Sequence, residues 1–157
     1  MGTPNFSYDK NNKVILNEEI SIENSNHKFT RAFFGNPHAV IVVESLGFNY
    51  QALGVKIEQH MLFAPHKTNV EFIQIVNNNE INFRVWERGS GETFACGTGA
   101  CAALVVAHLL GHTDREATVH LKGGDLRIKW NSEGNVLMTG PSTLVFEGFF
   151  YYDLPSK

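Results

Sequence analysis

Cysteine is scarce in this chain: among 157 residues only Cys96 and Cys101 occur. They stand five apart on what reads as one helix, so they point to different sides of it and cannot readily bridge. That excludes a disulfide-stapled secreted scaffold and makes a reducing cytoplasm the natural compartment. Long apolar runs are missing as well. The longest candidate, residues 100–110, stops at Gly111, far short of a bilayer span, and no membrane role is expected. The opening Met1-Gly2-Thr3-Pro4-Asn5-Phe6 has neither a basic region nor an apolar stretch, which argues against a signal peptide. Neither sign of charge dominates: 13 Lys and Arg against 16 Asp and Glu leave a net charge of -3, which gives no footprint for nucleic acid. No low-complexity tract or internal linker breaks the chain, so one domain over 1–157 is expected, long enough for a real core.

What is present is a period-2 hydrophobic pattern. Residues 28–34 and 39–43 read as strands, the second carrying Val40-Ile41-Val42-Val43 and therefore buried on both faces. Residues 69–76 and 81–86 form a hairpin pattern about Asn77-Asn78-Asn79. Residues 118–122 and 125–130 flank Gly123-Gly124, a pair suited to a primed turn in which both positions take positive φ. A strand over 135–139 is expected to end at Gly140-Pro141, followed by a further strand over 144–152. The aromatic residues of that last segment, Phe146, Phe149, Phe150, Tyr151 and Tyr152, suit either a closing strand packed on both faces or an interface strip. Two helices interrupt the strands. Asn49 is placed to cap Tyr50–Glu58, with Leu53 and Ile57 on one apolar face. The other, residues 97–110, is apolar nearly all round and must be enclosed by protein. The expected fold class is α+β: a curved, mostly antiparallel sheet wrapped around one central buried helix.

Chemistry concentrates at the mouth of that helix, in Ala95-Cys96-Gly97-Thr98-Gly99. The first turn of a helix leaves backbone N–H groups unpaired at the positive end of its dipole. Gly97 and Gly99 would let a carboxylate approach those groups closely, and the same field is expected to favour the thiolate of Cys96. A thiol acting as acid, base or nucleophile on a small carboxylate ligand follows. Cys101, deeper in an Ala/Val/Leu helix, reads as packing. No cysteine-protease signature surrounds Cys96, and no Gly-Lys-Ser/Thr follows to make a phosphate loop. His108 and His112 have the spacing of a helical metal pair, but Gly111 is expected to end the helix between them. They read as terminal histidines at the dipole's negative end, and no metal is expected. His60 and His66 straddle Pro65 without a matching third ligand.

Further blocks accompany this turn: Gly35-Asn36-Pro37-His38-Ala39-Val40, Thr68-Asn69-Val70-Glu71-Phe72, residues 84–93, Gly123-Gly124, Met138-Thr139-Gly140-Pro141 and Val145-Phe146-Glu147-Gly148. Together, and in this order, they resemble the C-terminal half of diaminopimelate epimerase. The resemblance implies one lobe of a two-lobed fold and an isomerase that interconverts LL- and meso-diaminopimelate, in lysine and peptidoglycan precursor biosynthesis. It implies no cofactor, neither pyridoxal phosphate nor metal. Two cysteines, one from each lobe, face opposite sides of the substrate's α-carbon; one removes a proton while the other delivers one. On that basis Cys96 is the second lobe's thiol, and His38 and Glu87 hold the amino group at the reacting centre. Gly97 and Thr98 bind the α-carboxylate. Asn36, Asn69 and Arg88 clasp the distal end, Arg88 with its planar fork on that carboxylate.

The family protein is nearly twice as long, so the N-terminal epimerase domain is expected to be absent from this chain and to be its partner. Cys101 shares a helix with Cys96 and cannot stand in for the second thiol, and an epimerase needs acid and base on opposed faces. The chain alone is therefore expected to be inactive. A homodimer that brings two Cys96 thiols together is the weaker alternative, because the two halves contribute different contacts. Two other functions stay open: an epimerase of related fold for another amino acid, and a non-catalytic half that binds amino acids or assembles with a partner chain.

Overall fold

The computed structural model describes residues 1–7 and 10–152. Along them run β1 (Glu18–Ile22), β2 (Ser25–Phe33), β3 (Pro37–Val42), α1 (Tyr50–Glu58), β4 (Asn69–Asn77), β5 (Glu80–Glu87), β6 (Gly91–Glu92), α2 (Gly97–Leu109), β7 (Glu116–Leu121), β8 (Gly124–Trp130) and β9 (Val136–Thr139). The strands form one sheet in the order β1-β2-β3-β4-β5-β7-β8-β9, with β6 paired to the end of β5. Pairing is antiparallel except for β3 with β4 and β5 with β7. The α+β expectation stands.

Alternation along the strands builds two cores. On β3, Val40 joins the core around α2, while its neighbours Ala39 and Ile41 join another beneath α1. On β4, Ile73 faces the first, and Val70 and Phe72 face the second. The run at 40–43 is apolar throughout because both faces of its strand are covered. Residues 100–107 of α2 are completely buried, and each enclosed Leu or Val there contributes about 1.5–3 kcal/mol relative to exposure. Yet the sheet does not serve α2 alone. Helix α1 closes the other face with Tyr50 and Ile57, and Asn49 Oδ1 caps it by accepting the Ala52 N–H at 3.0 Å.

Two expectations need correction. Leu121 pairs with Gly124, so the loop between β7 and β8 is Lys122-Gly123, and of the two glycines only Gly124 takes a positive φ, +133°. Gly123 serves another purpose. A Cβ there would stand 3.1 Å from the Phe94 carbonyl oxygen, which accepts the Gly123 N–H at 2.8 Å. The strand over 144–152 does not form either. Its backbone finds no partner strand among the described residues, and Phe146 and Phe149 are 82% and 98% exposed. The account in which that segment packs on both faces is overturned. Strand β1 was not anticipated, because its apolar residues are only Ile20 and Ile22 in a polar stretch. Among the described residues no helix is long and apolar enough to cross a membrane.

Candidate active site

Parallel pairing brings the starts of β3 and β4 to one end of the sheet, where β5 finishes, and sets His38 in register with Asn69. Gly35, at φ +81°, turns the chain into β3 and delivers Asn36 and His38. Helix α2 opens beside them, with Cys96 as its extended N-cap.

Hydrogen bonds join these elements in a line. Glu71 Oε1 lies 2.6 Å from His38 Nδ1. His38 Nε2 lies 3.0 Å from Asn36 Oδ1, an oxygen that can only accept, so Nε2 carries a proton. Asn36 Nδ2 donates to Thr98 Oγ1 at 3.4 Å, and Thr98 Oγ1 stands 3.6 Å from Cys96 Sγ. With one lone pair of Thr98 taken by Asn36, its hydroxyl proton is left for the sulfur. Gly99 N–H also donates to Sγ, at 3.4 Å.

These two donors and the helix dipole favour a thiolate, yet they are outweighed. Burial first, and the Glu71 carboxylate second, push the Cys96 thiol up to about 11 against Thr98 and Gly99, and Glu87 adds to the rise. That rise is worth about 3 kcal/mol, more than the 2 kcal/mol or so of a well-placed helix end. The expectation of a thiolate is therefore overturned, and the resting side chain is a thiol, only 7% exposed. Cys101 is pushed up to about 12 by burial, in keeping with packing. The role expected of Gly99 changes too. A Cβ there would meet Glu71 Oε1 at 2.9 Å, Cys96 Sγ at 3.1 Å and Phe83 Cζ at 3.2 Å, so its open side is filled from within and offers no approach to an anion. Gly97 lies under the thioether of Met138.

The other expected residues frame this line. Glu87 Oε1 accepts the Thr93 hydroxyl at 2.5 Å. Asn69 acts as a brace: its Nδ2 donates to the Pro37 carbonyl and its Oδ1 accepts the Arg88 N–H, both at 2.9 Å. The Arg88 side chain is exposed and donates through Nη1 to the His66 carbonyl at 2.9 Å. A hollow of about 430 Å³ opens next to them, lined by Pro37, His38, Lys67 and Arg88 among others, with Cys96 outside it. Sequence reasoning missed Glu71, which is wholly buried, and Glu58, which ties the Glu87–Arg88 turn down from α1. For Glu71 the signal was there: one carboxylate flanked by Val70 and Phe72 in an apolar strand. Away from this site, His108 donates from Nδ1 to the Thr113 carbonyl at 2.9 Å, and Gly111 takes φ +79° past the end of α2. Among the described residues no group of three or more His, Cys, Asp or Glu could hold a metal ion.

A family model described as diaminopimelate epimerase matches residues 30–145. The chain belongs to the diaminopimelate epimerase family. It is 51% identical over 143 residues to a diaminopimelate epimerase of Bacillus cereus, covering 89% of this chain and 49% of that protein. A diaminopimelate epimerase of Methanococcus maripaludis is 48% identical over 136 residues, covering 85% and 49%. The chain thus spans about half the length of the curated relatives it matches. Among solved structures, a hydroxyproline epimerase from Agrobacterium vitis is similar with a TM-score of 0.56 at 16% identity, covering 78% of this chain and 44% of that one. A protein of the phenazine biosynthesis PhzF family from Enterococcus faecalis gives 0.50 at 18% identity, covering 63% and 35%. Likeness at such identity concerns the fold alone. The span matched to the diaminopimelate epimerase family holds the whole line from Asn36 and His38 through Glu71 to Cys96 and Thr98.

Proposed function

We propose that this chain is the Cys96-bearing lobe of a diaminopimelate epimerase, working on the α-carbon of LL- and meso-diaminopimelate with no cofactor. The observation that carries this reading is the placement of Cys96. It is a buried thiol capping a helix, joined through Thr98 and Asn36 to His38, inside the span that matches the family.

Epimerisation takes a proton from one face of carbon and returns one to the other. A thiolate on the opposing lobe removes the α-proton; its S–H bond forms and the C–H electron pair stays on the substrate, spread into the α-carboxylate. Cys96 then gives its proton to the other face; its S–H bond breaks, the new C–H bond forms, and Cys96 is left as thiolate. The reverse reaction exchanges the roles. Such a cycle needs one thiol protonated and one not, and a Cys96 pushed up to about 11 suits the donor. In this reading Gly97 and Thr98 take the α-carboxylate, where helix N–H groups meet the charge that develops there. Glu87 and His38 hold the α-amino group, His38 giving up its bond to Asn36 and its Nε2 proton to do so. Asn36, Asn69 and Arg88 receive the distal end, with Arg88 leaving the His66 carbonyl to do so.

The partner is the N-terminal epimerase domain, since Cys101 lies on the same helix as Cys96 and is fully buried. In this reading the reaction runs in a reducing cytoplasm, where thiols such as these stay free. The test combines the purified chain with the N-terminal half of the Bacillus cereus relative and follows epimerisation of LL-diaminopimelate. Turnover is expected only in the mixture, with Cys96→Ala lowering it by about 10²–10⁴-fold. Comparable turnover by the chain alone, or full activity in Cys96→Ala, contradicts the reading. Lysine, glutamate and proline run in parallel; preference for one of them makes it a related epimerase instead.

A further inference from the structure

Strand β4 carries one carboxylate where packing asks for none. Glu71 is fully buried, and its neighbours across the sheet are Val40 and Val85. Burying a carboxylate is unfavourable unless it is well paired, and an apolar side chain of similar size would fill the place at lower cost. Here pairing is incomplete: Oε1 meets His38 Nδ1, while Oε2 has no hydrogen-bond partner.

What the carboxylate faces explains its presence. With Nε2 of His38 committed to Asn36, Nδ1 is left for Glu71, and one proton is shared across 2.6 Å. The ring cannot turn without losing a bond at each nitrogen. The same oxygen, Oε1, reaches the first turn of α2, where only the missing side chain of Gly99 lets it and Cys96 Sγ occupy the same dry space. Burial raises the Glu71 carboxyl too, and the contact with His38 is what pulls it back toward the charged form. With His38 supporting that charge, the two acidic groups titrate together, because ionising the second puts like charges side by side. Glu87, at the end of β5, acts on the sulfur in the same sense, while Thr98 and the Gly99 N–H oppose it.

We propose that Glu71 is a positioning residue of this site: it fixes the His38 ring through Nδ1, and its charge keeps Cys96 in the protonated, proton-giving state. Once Cys96 has delivered its proton, the thiolate forms beside Glu71, and repulsion drives it to take a proton back. The carboxylate therefore biases which of two opposed thiols rests as the acid. Its use in catalysis rests on the two-thiol reading above, whereas the contacts and the titration do not.

The experiment needs no turnover. Alkylation of Cys96 by iodoacetamide is followed in the folded chain, with mass mapping to separate it from Cys101. Wild type, Glu71→Gln and Glu71→Asp are compared at about pH 8.5, where the rate reports the thiolate fraction. Removing the charge in Glu71→Gln is expected to speed alkylation about tenfold or more, and Glu71→Asp, which keeps it, to stay within about threefold of wild type. A purely structural Glu71 would alter melting temperatures in both variants and leave alkylation unchanged; that result overturns the proposal. If Glu71→Gln does not fold, proton NMR of the wild-type chain decides. A far-downfield Nδ1 proton on His38 supports the shared bond, and its absence overturns it.

Discussion

Glu58 Oε2 accepts the indole N–H of Trp86 at 2.8 Å, and its other oxygen accepts the Gly89 N–H at 3.1 Å and the Lys67 ammonium at 3.3 Å. The last residue of α1 thereby holds the turn that presents Glu87 and Arg88. Burial raises this carboxyl, but the bonds from Trp86, Gly89 and Lys67 outweigh it, and the group ends below its usual range. Glu58→Ala leaves a half-buried indole N–H and a backbone N–H without their charged acceptor. It is expected to cost about 1–3 kcal/mol in urea unfolding. In the reconstituted enzyme it should raise KM for diaminopimelate more than it lowers kcat, since it loosens Arg88 and not Cys96. Unchanged unfolding would show that solvent replaces the carboxylate without loss.

Gly99→Ala sets two effects against each other. Alanine is the better helix former by about 1 kcal/mol. Its Cβ, however, would press on Glu71 Oε1, Cys96 Sγ and the ring of Phe83, all buried, and overpacking of that kind costs about 1–3 kcal/mol. A net loss of stability is expected from urea midpoints. A net gain would mean that the carboxylate and the sulfur are free to move apart.

The buried thiols make the fold sensitive to alkali. Burial is the first cause that raises Cys96 to about 11 and Cys101 to about 12, from 9.0 for a free group. Above that lower value the unfolded chain has released protons that the native chain still holds, so stability falls as pH rises toward 11. Between about pH 8 and about pH 10 the two thiols together should remove about 2–3 kcal/mol. Cys101→Ala should make the slope shallower. A flat profile in urea unfolding would show that neither thiol is held neutral by the fold.

Most elements were legible because their patterns are local. The all-apolar run after Cys96 forms α2 over Gly97–Leu109, and Asn49 caps α1 at the expected residue. Alternation in β4, β5, β7 and β8 gave strands to within a few residues. The failures share a cause. Residues 144–152 have the composition of a strand, but strand formation needs a partner edge, which composition cannot supply. The charge state of Cys96 failed in the same way. Helix position is a sequence property, whereas the depth of the site and the carboxylate of Glu71 arrive from β4, which lies elsewhere in the chain. Glu71 itself was visible as a charge inside an apolar strand, yet only the approach of Gly99 shows what it faces.

Solvent deuterium is the decisive probe of whether Cys96 handles the proton. In a single turnover of LL-diaminopimelate in D2O by the two-lobe complex, meso product should carry deuterium at the inverted carbon, delivered from the exchanged Cys96 thiol. Cys96→Ser should fold, bind the substrate and give almost no labelled product. Labelled meso product formed at the wild-type rate by Cys96→Ser would remove Cys96 from the reaction.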